Sequence, residues 1–191
     1  SNTNGTATVR PTLTEAGSFN STTFKPMIDG FNIRGGDQQG LPPNITEIVG
    51  TINPNANLPV QVVTQGGAIF ANSYVTNLQI TNNVIESNGG AYGAIRIGTP
   101  NIDDQHNDNL RIANNRILSN GGTNLAGAIG LFNGADGYEI DHNDLCGNFS
   151  AEYGGGISHF GYSPNGKIHD NRIYFNRSYD EGAGIMIAGE L

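Results

Sequence analysis

The feature that most constrains the fold of this chain is an internal repeat with a period of 28 to 32 residues. Four segments align, and each has an asparagine at its sixth and eleventh positions. They are LQITNNVIESN (78–88), LRIANNRILSN (110–120), YEIDHNDLCGN (138–148) and GKIHDNRIYFN (166–176). A repeat of this length is typical of solenoids, in which each unit buries its apolar face only by stacking on its neighbours.

Within each unit the apolar residues alternate with polar ones over short stretches bounded by turns, and this period of two indicates strands. A glycine-rich turn and a third short apolar stretch follow each segment. The expected inward columns are Ile80, Ile112, Ile140 and Ile168; Ile85, Ile117, Leu145 and Ile173; and Ile69, Ile95, Ile129, Ile157 and Ile185. With an earlier degenerate unit at 28–36, the pattern predicts about five rungs of three strands, stacked about 4.8 Å apart.

The asparagines form two columns, and these columns predict an internal ladder of amides. Asparagine tolerates the left-handed backbone of a tight turn, and stacked amides hydrogen-bond from one rung to the next. We therefore predict that these residues build the architecture and take no part in a reaction. The first column is Asn83, Asn115, Asn143 and Asn171, and the second is Asn88, Asn120, Asn148 and Asn176.

The paired asparagine motifs, each followed by a GAI, GGI or AGI turn, resemble the repeats of the pectin-lyase-like superfamily. They are most similar to the non-catalytic repeats of large bacterial surface or secreted proteins and of polymorphic adhesins. The resemblance covers residues 28–191. It implies an all-β, right-handed parallel β-helix and an extracellular or cell-surface location. Because the superfamily includes lyases, hydrolases, epimerases and adhesins, the fold alone does not fix the activity.

The charge of the chain limits its partners. With 9 basic and 17 acidic residues the net charge is −8, and there is no basic run. The chain therefore has no electrostatic basis for binding nucleic acid or an anionic membrane. No stretch approaches the roughly 20 apolar residues that a spanning helix requires.

The two ends of the chain differ from the repeat. Residues 1–25 are rich in threonine, asparagine and serine and are expected to form an N-terminal arm or cap before the β-helix of 26–191. Four prolines mark 40–60 as an inserted loop. Leu191 follows the last apolar stretch without a polar cap. We therefore expect a fragment of a longer solenoid, or a solenoid that stacks on another subunit.

The outward positions of the strand after the glycine turn are where catalytic β-helices carry their working residues. Here they hold no paired carboxylates of the kind that glycoside hydrolysis needs. The NxD, DD and GHG motifs of the pectin-degrading hydrolases are also absent from successive rungs. Arg96 resembles the arginine base of a polysaccharide lyase, so a lyase or epimerase remains as an alternative, with the loop at 103–108 beside it.

Two clusters offer metal ligands. Asp103, Asp104 and Asp108 could supply the oxygen atoms that calcium prefers, or they could form a solvated acidic loop. Alignment of the rungs also places Asp141 beside His169 and His142 beside Asp170. These side chains could hold a transition metal, or they could make hydrogen bonds between rungs on a solvated face.

His159 stands in a column otherwise filled by aliphatic residues, and we expect it to be hydrogen-bonded in the core. Phe132 and Phe160 share an outward column and are expected to stack, with Phe70 in the adjacent column. If exposed, these rings could bind sugars or a partner protein; alternatively, another part of the chain covers them.

These features favour a non-enzymatic extracellular β-helix domain that acts as a structural spacer, an adhesive surface or a self-assembling unit. The alternatives are a polysaccharide-active lyase or epimerase that uses Arg96, and a solenoid that binds carbohydrate without turnover. The expected partners are another copy or a continuation of the chain at the C-terminal end, and glycans. We expect no cofactor, and calcium is the alternative that the residues suggest.

Overall fold

The computed structural model of the 191-residue chain describes residues 25–36, 67–100 and 102–189. These residues form strands and turns and contain no helix. Neighbouring strands pair in parallel and stack into a β-solenoid of about four turns. The predicted fold class is confirmed. Most of the predicted arm, the inserted loop and Leu191 lie outside the described residues.

Two sheets of five strands flank the first asparagine column. Sheet 1 contains β1 (Met27–Asp29), β4 (Gln79–Thr81), β8 (Arg111–Ala113), β12 (Glu139–Asp141) and β16 (Lys167–His169). Sheet 2 contains β2 (Asn32–Arg34), β5 (Val84–Glu86), β9 (Arg116–Leu118), β13 (Asp144–Cys146) and β17 (Arg172–Tyr174). The register aligns equivalent residues of successive repeats, as in the pairing of Ile112 with Ile140.

Two further sheets complete each turn. Sheet 3 contains β3 (Ile69–Ala71), β7 (Ile95–Ile97), β11 (Ile129–Leu131), β15 (Ile157–Phe160) and β19 (Ile185–Ala188). Sheet 4 contains β6 (Gly89–Tyr92), β10 (Gly121–Ala126), β14 (Phe149–Ser150) and β18 (Arg177–Ser178). Along the chain a strand of sheet 4 lies between the second asparagine and the glycine turn that leads into sheet 3.

The structure corrects two details of the prediction. The chain makes about four turns, whereas about five rungs were predicted. The numbers differ because five strands stacked in one sheet are connected by only four full turns of the chain. Sheet 4 was not predicted, since three strands were expected in each rung. Its strands are short and begin with glycine in β6 and β10, so no alternation of apolar residues reveals them.

The core is the interior of the solenoid, and it is filled by the predicted isoleucine columns. In the middle turns Ile80, Ile112 and Ile140 have no exposed surface. The last turn is less covered, since Ile168 is only partly buried and 42% of Ile185 is exposed. Burial therefore decreases from the middle of the stack to its last described rung.

The asparagine ladder forms as predicted, but the left-handed backbone lies at a different residue. Asn115 Oδ1 accepts hydrogen bonds from the backbone N–H and the side chain of Asn83, at 2.9 and 3.0 Å. Asn115 Nδ2 donates to Ile80 O at 2.8 Å and to Asn143 Oδ1 at 3.0 Å. The residue with positive φ is Asn114, directly before the ladder position. The ladder side chain is therefore free to point into the interior.

Candidate functional site

Arg96 lies on the outer face of sheet 3, in the predicted column, and is fully buried there. Its guanidinium lies 4.4 Å from the ring centre of Phe70 and 4.5 Å from that of Tyr92. Nε donates to Gly98 O at 2.8 Å, and Nη2 donates to Thr99 Oγ1 at 2.9 Å. The side chain is thus held between aromatic rings, where cation–π attraction stabilises it.

This environment disagrees with the role of a lyase base. Burial lowers the pKa of Arg96 to about 10, against the opposing effect of Tyr92, so the guanidinium remains protonated at neutral pH. A base must also be reached by the substrate, whereas Arg96 has no exposed surface and Asp103 and Asp104 are exposed. A role of Arg96 in a lyase or epimerase site stays a prediction.

Phe132 and Phe160 stack as predicted, with ring centres 5.6 Å apart and 12° between their planes. They are covered, because Tyr92 and Leu125 join them in a second apolar cluster, with Tyr153 packed against it. Phe132 has no exposed surface, so of the two alternatives at this pair the covered one is found. Phe70 remains 40% exposed. A role of these rings in binding sugars or a partner remains a prediction.

The acidic loop is organised around Gln105 and Asn107, which are buried. Gln105 pairs with the backbone of Thr99 through both amide atoms, at 2.7 and 3.0 Å. Asp104 Oδ1 accepts a hydrogen bond from the backbone N–H of His106 at 3.0 Å. The loop is therefore fixed by its amides, with carboxylates on its outer side.

The three aspartates of the predicted calcium site are not gathered around one point. Asp103, Asp104 and Asp108 do not lie together within 4.8 Å by their carboxylate oxygens. Asp108 instead accepts a hydrogen bond from the backbone N–H of Asp136 at 3.2 Å. Burial raises the pKa of Asp108, and the neighbouring carboxylates Asp136 and Asp104 raise it further. Calcium binding in this loop remains a prediction.

The outer face of sheet 1 carries a denser cluster of charged groups. Glu139, Asp141 and His169 offer one ligand atom each, and these atoms lie within 4.8 Å of one another. His169 Nε2 lies 3.0 Å from Glu139 Oε1, and His169 Nδ1 lies 2.8 Å from Asp170 Oδ2. These hydrogen bonds to Asp170 and Glu139 raise the pKa of His169.

Arg111 shares this cluster. Its Nε and Nη2 donate to both carboxylate oxygens of Asp141, at 2.8 and 2.6 Å, and its Nε lies 3.6 Å from Glu139 Oε2. His142 Nδ1 lies 2.7 Å from Asp141 Oδ2. The hydrogen bond from Arg111, followed by that from His142, lowers the pKa of Asp141. The prediction that Asp141 lies beside His169 is confirmed. The sequence did not identify Glu139 or Arg111 as parts of this cluster.

His159 is a core residue, as predicted. It is 8% exposed, and its Nδ1 lies 2.8 Å from the hydroxyl of Tyr138, which is also buried. Nε2 has no hydrogen-bond partner. Burial lowers the pKa of this histidine. The imidazole is enclosed between aliphatic neighbours of its column, Leu131 and Ile187, and is not placed to contact a substrate.

The two ends of the described solenoid are not equivalent. In the first rung the ladder positions are occupied by Phe31 and Gly36, whose backbone N–H groups donate to Asn83 Oδ1 and Asn88 Oδ1 at 2.9 Å. In the last rung Asn171 and Asn176 occupy these positions and accept from the preceding asparagines. Among the described residues, no acceptor faces the backbone N–H groups of Asn171 and Asn176.

Comparisons with known proteins do not extend this description. No protein-family model, curated protein sequence or solved structure matches the chain. Within the described ranges there is no helix of the length and hydropathy that would let it cross a membrane.

Proposed function

We propose that this chain is a non-enzymatic solenoid unit of an extracellular protein, and that its last described rung stacks on a further β-helix rung. That rung carries asparagine at the two ladder positions and belongs to a longer chain or to a partner solenoid. The observation that carries the proposal is the direction of the ladder. Each ladder asparagine donates its backbone N–H to the asparagine of the following rung, and this series stops at Asn171 and Asn176.

The apolar residues of the last rung support the same conclusion. Ile187 is 65% exposed, whereas Leu131, two rungs earlier in the same column, is fully buried. A further rung would cover Ile185 and Ile187 and would supply acceptors to the two free amides. Burial of apolar surface contributes about 25 cal/mol per Å², so the added rung would stabilise the stack.

A second copy of the chain stacked head to tail fits this end less well. The first described rung offers Phe31 and Gly36 at the ladder positions, and neither has a side-chain amide. The two N–H groups of the last rung would then meet no asparagine oxygen. Self-assembly through the first described rung is therefore the weaker form of the proposal.

The residues that could serve an enzyme are already engaged in structural contacts. Arg96 is enclosed by aromatic rings, Asp141 is bound by Arg111, and His159 is bound to Tyr138. This engagement favours the structural role over a lyase or epimerase. Turnover of an acidic polysaccharide by the purified chain, lost in Arg96→Gln, would contradict the proposal.

The direct test is to extend the solenoid by one rung. A copy of residues 161–188, which is one 28-residue step of the repeat, would be inserted after Ala188. We expect the melting temperature to rise, by about 2–4 °C for each kcal/mol that the added rung contributes to a chain of this size. Calorimetry of the extended and original chains measures the difference.

The matched control is the same insertion with Asn171→Ala and Asn176→Ala made only in the copied segment. It should give a smaller rise, because the two backbone N–H groups then remain without an amide acceptor. Equal melting temperatures of the original and extended chains would contradict the proposal. Filaments of the original chain in electron micrographs would show that a second copy already occupies the end.

A further inference from the structure

We propose that Glu139, Asp141 and His169 form a binding site for a divalent transition metal ion, with Zn²⁺ as the representative ion, in competition with Arg111. The site lies on the outer face of sheet 1, with His169 in the last described rung and Glu139 and Asp141 in the rung before it. It is independent of the proposed function.

The backbone brings the three residues together. β12 and β16 pair in parallel, with Asp141 opposite His169, and Ile140 between the two carboxylates points into the core. Glu139 and Asp141 therefore both lie on the outer face. His169 reaches back across the strand pair, so that its Nε2 lies 3.0 Å from Glu139 Oε1 and the three ligand atoms lie within 4.8 Å of one another. The pairing of Asp141 with His169 follows from the sheet register, and the contact with Glu139 is a diagonal one between the same two strands.

The donor set suits a transition metal. Imidazole nitrogen is a common ligand of zinc, copper and nickel, and a catalytic or surface zinc site often has three protein ligands with water completing the shell. Ligand atoms around a tetrahedral zinc lie about 3.4 Å apart, and the three atoms here lie within 4.8 Å. Glu139 and His169 have side chains 38% and 39% exposed, so small rotations can close the difference.

The groups around the ligands are arranged as in metal sites. A metal-bound histidine usually donates its other ring nitrogen to a carboxylate, which fixes the tautomer and the ring. Asp170 occupies this position, 2.8 Å from His169 Nδ1, and leaves Nε2 directed at Glu139. Asp141 is similarly oriented by His142, and its side chain is only 1% exposed.

Arg111 is the competing cation. It binds both oxygens of Asp141, and its Nη2 lies 2.6 Å from the same Oδ2 that is 2.7 Å from His142 Nδ1. A metal ion on Asp141 would have to share or displace this guanidinium, and the two positive charges repel each other. The metal affinity should therefore be limited by Arg111.

The test is titration of the full chain, free of any histidine tag, with ZnCl₂ at pH 7.5. Isothermal titration calorimetry should show one site per chain. We expect Arg111→Gln to bind Zn²⁺ several-fold more tightly and His169→Gln to bind at least tenfold more weakly. Asp170→Asn should weaken binding by about tenfold, because it removes the carboxylate that orients the histidine.

The matched control is His106→Gln, which removes another exposed histidine next to a carboxylate, Asp104. Zn²⁺ affinity should be unchanged in this variant. Imidazole ¹⁵N spectra of the unmodified chain provide a readout that does not depend on the folding of any variant, and Zn²⁺ should shift His169 first. The proposal is overturned if neither the original chain nor Arg111→Gln binds Zn²⁺ at millimolar concentration, or if His106 shifts and His169 does not.

Discussion

The asparagines of the repeat have two distinct tasks, although they are often adjacent in sequence. Asn114 adopts a left-handed backbone, with φ of 56°, and is exposed. Asn115 has the buried ladder position and hydrogen-bonds both neighbouring rungs. The left-handed position accepts Asn82, His142 and Asp170 in other rungs, whereas the ladder position keeps asparagine from Asn83 onward. The ladder position uses an oxygen that accepts two hydrogen bonds and an NH₂ group that donates two, and a side-chain amide supplies both.

We predict that Asn115→Ala lowers the free energy of unfolding by about 3 kcal/mol. The substitution leaves the buried backbone N–H of Asn83 without its acceptor, and an unsatisfied buried polar group costs about 1–3 kcal/mol. Urea denaturation measures the change.

Asn114→Ala is the control and should cost only about 1 kcal/mol, because alanine lacks the short polar side chain with which asparagine stabilises a left-handed backbone. If both variants lose the same stability, the ladder is not the stabilising element.

His159 gives the core a dependence on pH. Its pKa is lowered by burial in the native state and is about 6.5 in the unfolded chain. The unfolded state therefore takes up the proton first, so stability is retained above pH 6.5 and lost as the pH falls below it. In the double variant Tyr138→Phe with His159→Leu this loss should disappear.

Denaturation at pH 7.5 and at pH 5.5 measures the effect in both proteins. The exposed histidines are unchanged by the substitutions, so their contributions cancel in the comparison. An equal loss of stability in both proteins would assign the pH dependence to groups other than His159.

At the scale of elements, the turn between sheet 4 and sheet 3 is set by close approach of the backbone. A Cβ on Gly127 would collide with the carbonyl oxygen of Gly155 in the next rung and with the backbone of Phe149. Gly127 does not have a positive φ. Glycine is required at this position because there is no room for a Cβ, and not because of the backbone conformation. Gly93, at the equivalent corner of the preceding rung, does have a positive φ, of 100°.

We predict that Gly127→Ala destabilises the protein by at least 2 kcal/mol, because overpacking against backbone forces the rungs apart. Gly121→Ala, at the start of β10, the strand that ends directly before Gly127, is the matched control. A Cβ there meets no atom within 4 Å, and the substitution should be neutral or stabilise by up to about 1 kcal/mol. Thermal denaturation compares them; equal losses would show that the corner is not tightly packed.

At the scale of the whole molecule, stability depends on how many neighbours each rung has. The middle rungs are covered on both sides and bury Ile112 and Ile117 completely. Ile173 in the last rung is only partly buried, and Phe175 beside it is 81% exposed. In a solenoid the rungs interact mainly with nearest neighbours, so the last rung is expected to open first.

We predict that backbone amides of 167–176 exchange with deuterium faster than those of 111–120. Hydrogen exchange followed by mass spectrometry of the purified chain measures both segments. Equal protection would mean that another molecule covers the last rung under the conditions of the experiment, and dilution of the sample would then expose it.

The sequence by itself determined the solenoid, because the repeat spacing, the alternation of apolar residues and the asparagine columns are all local patterns with a direct structural cause. It also determined that His159 lies in the core and that Phe132 stacks on Phe160. It did not reveal sheet 4, whose short glycine-containing strands carry no alternation, or the number of turns.

Only the tertiary structure decided which outward residues are accessible. Tyr92 and Leu125 cover the face that holds Arg96 and Phe132, and they come from sheet 4, whose position the repeat pattern does not specify. Likewise, the cluster on sheet 1 depends on a diagonal contact from His169 to Glu139 and on the reach of Arg111 to Asp141. The repeat pattern predicts which side chains lie opposite each other, because these pairs follow from the sheet register. Diagonal contacts depend on side-chain rotamers, and the burial of an outward side chain depends on neighbouring strands; the columns of the repeat specify neither.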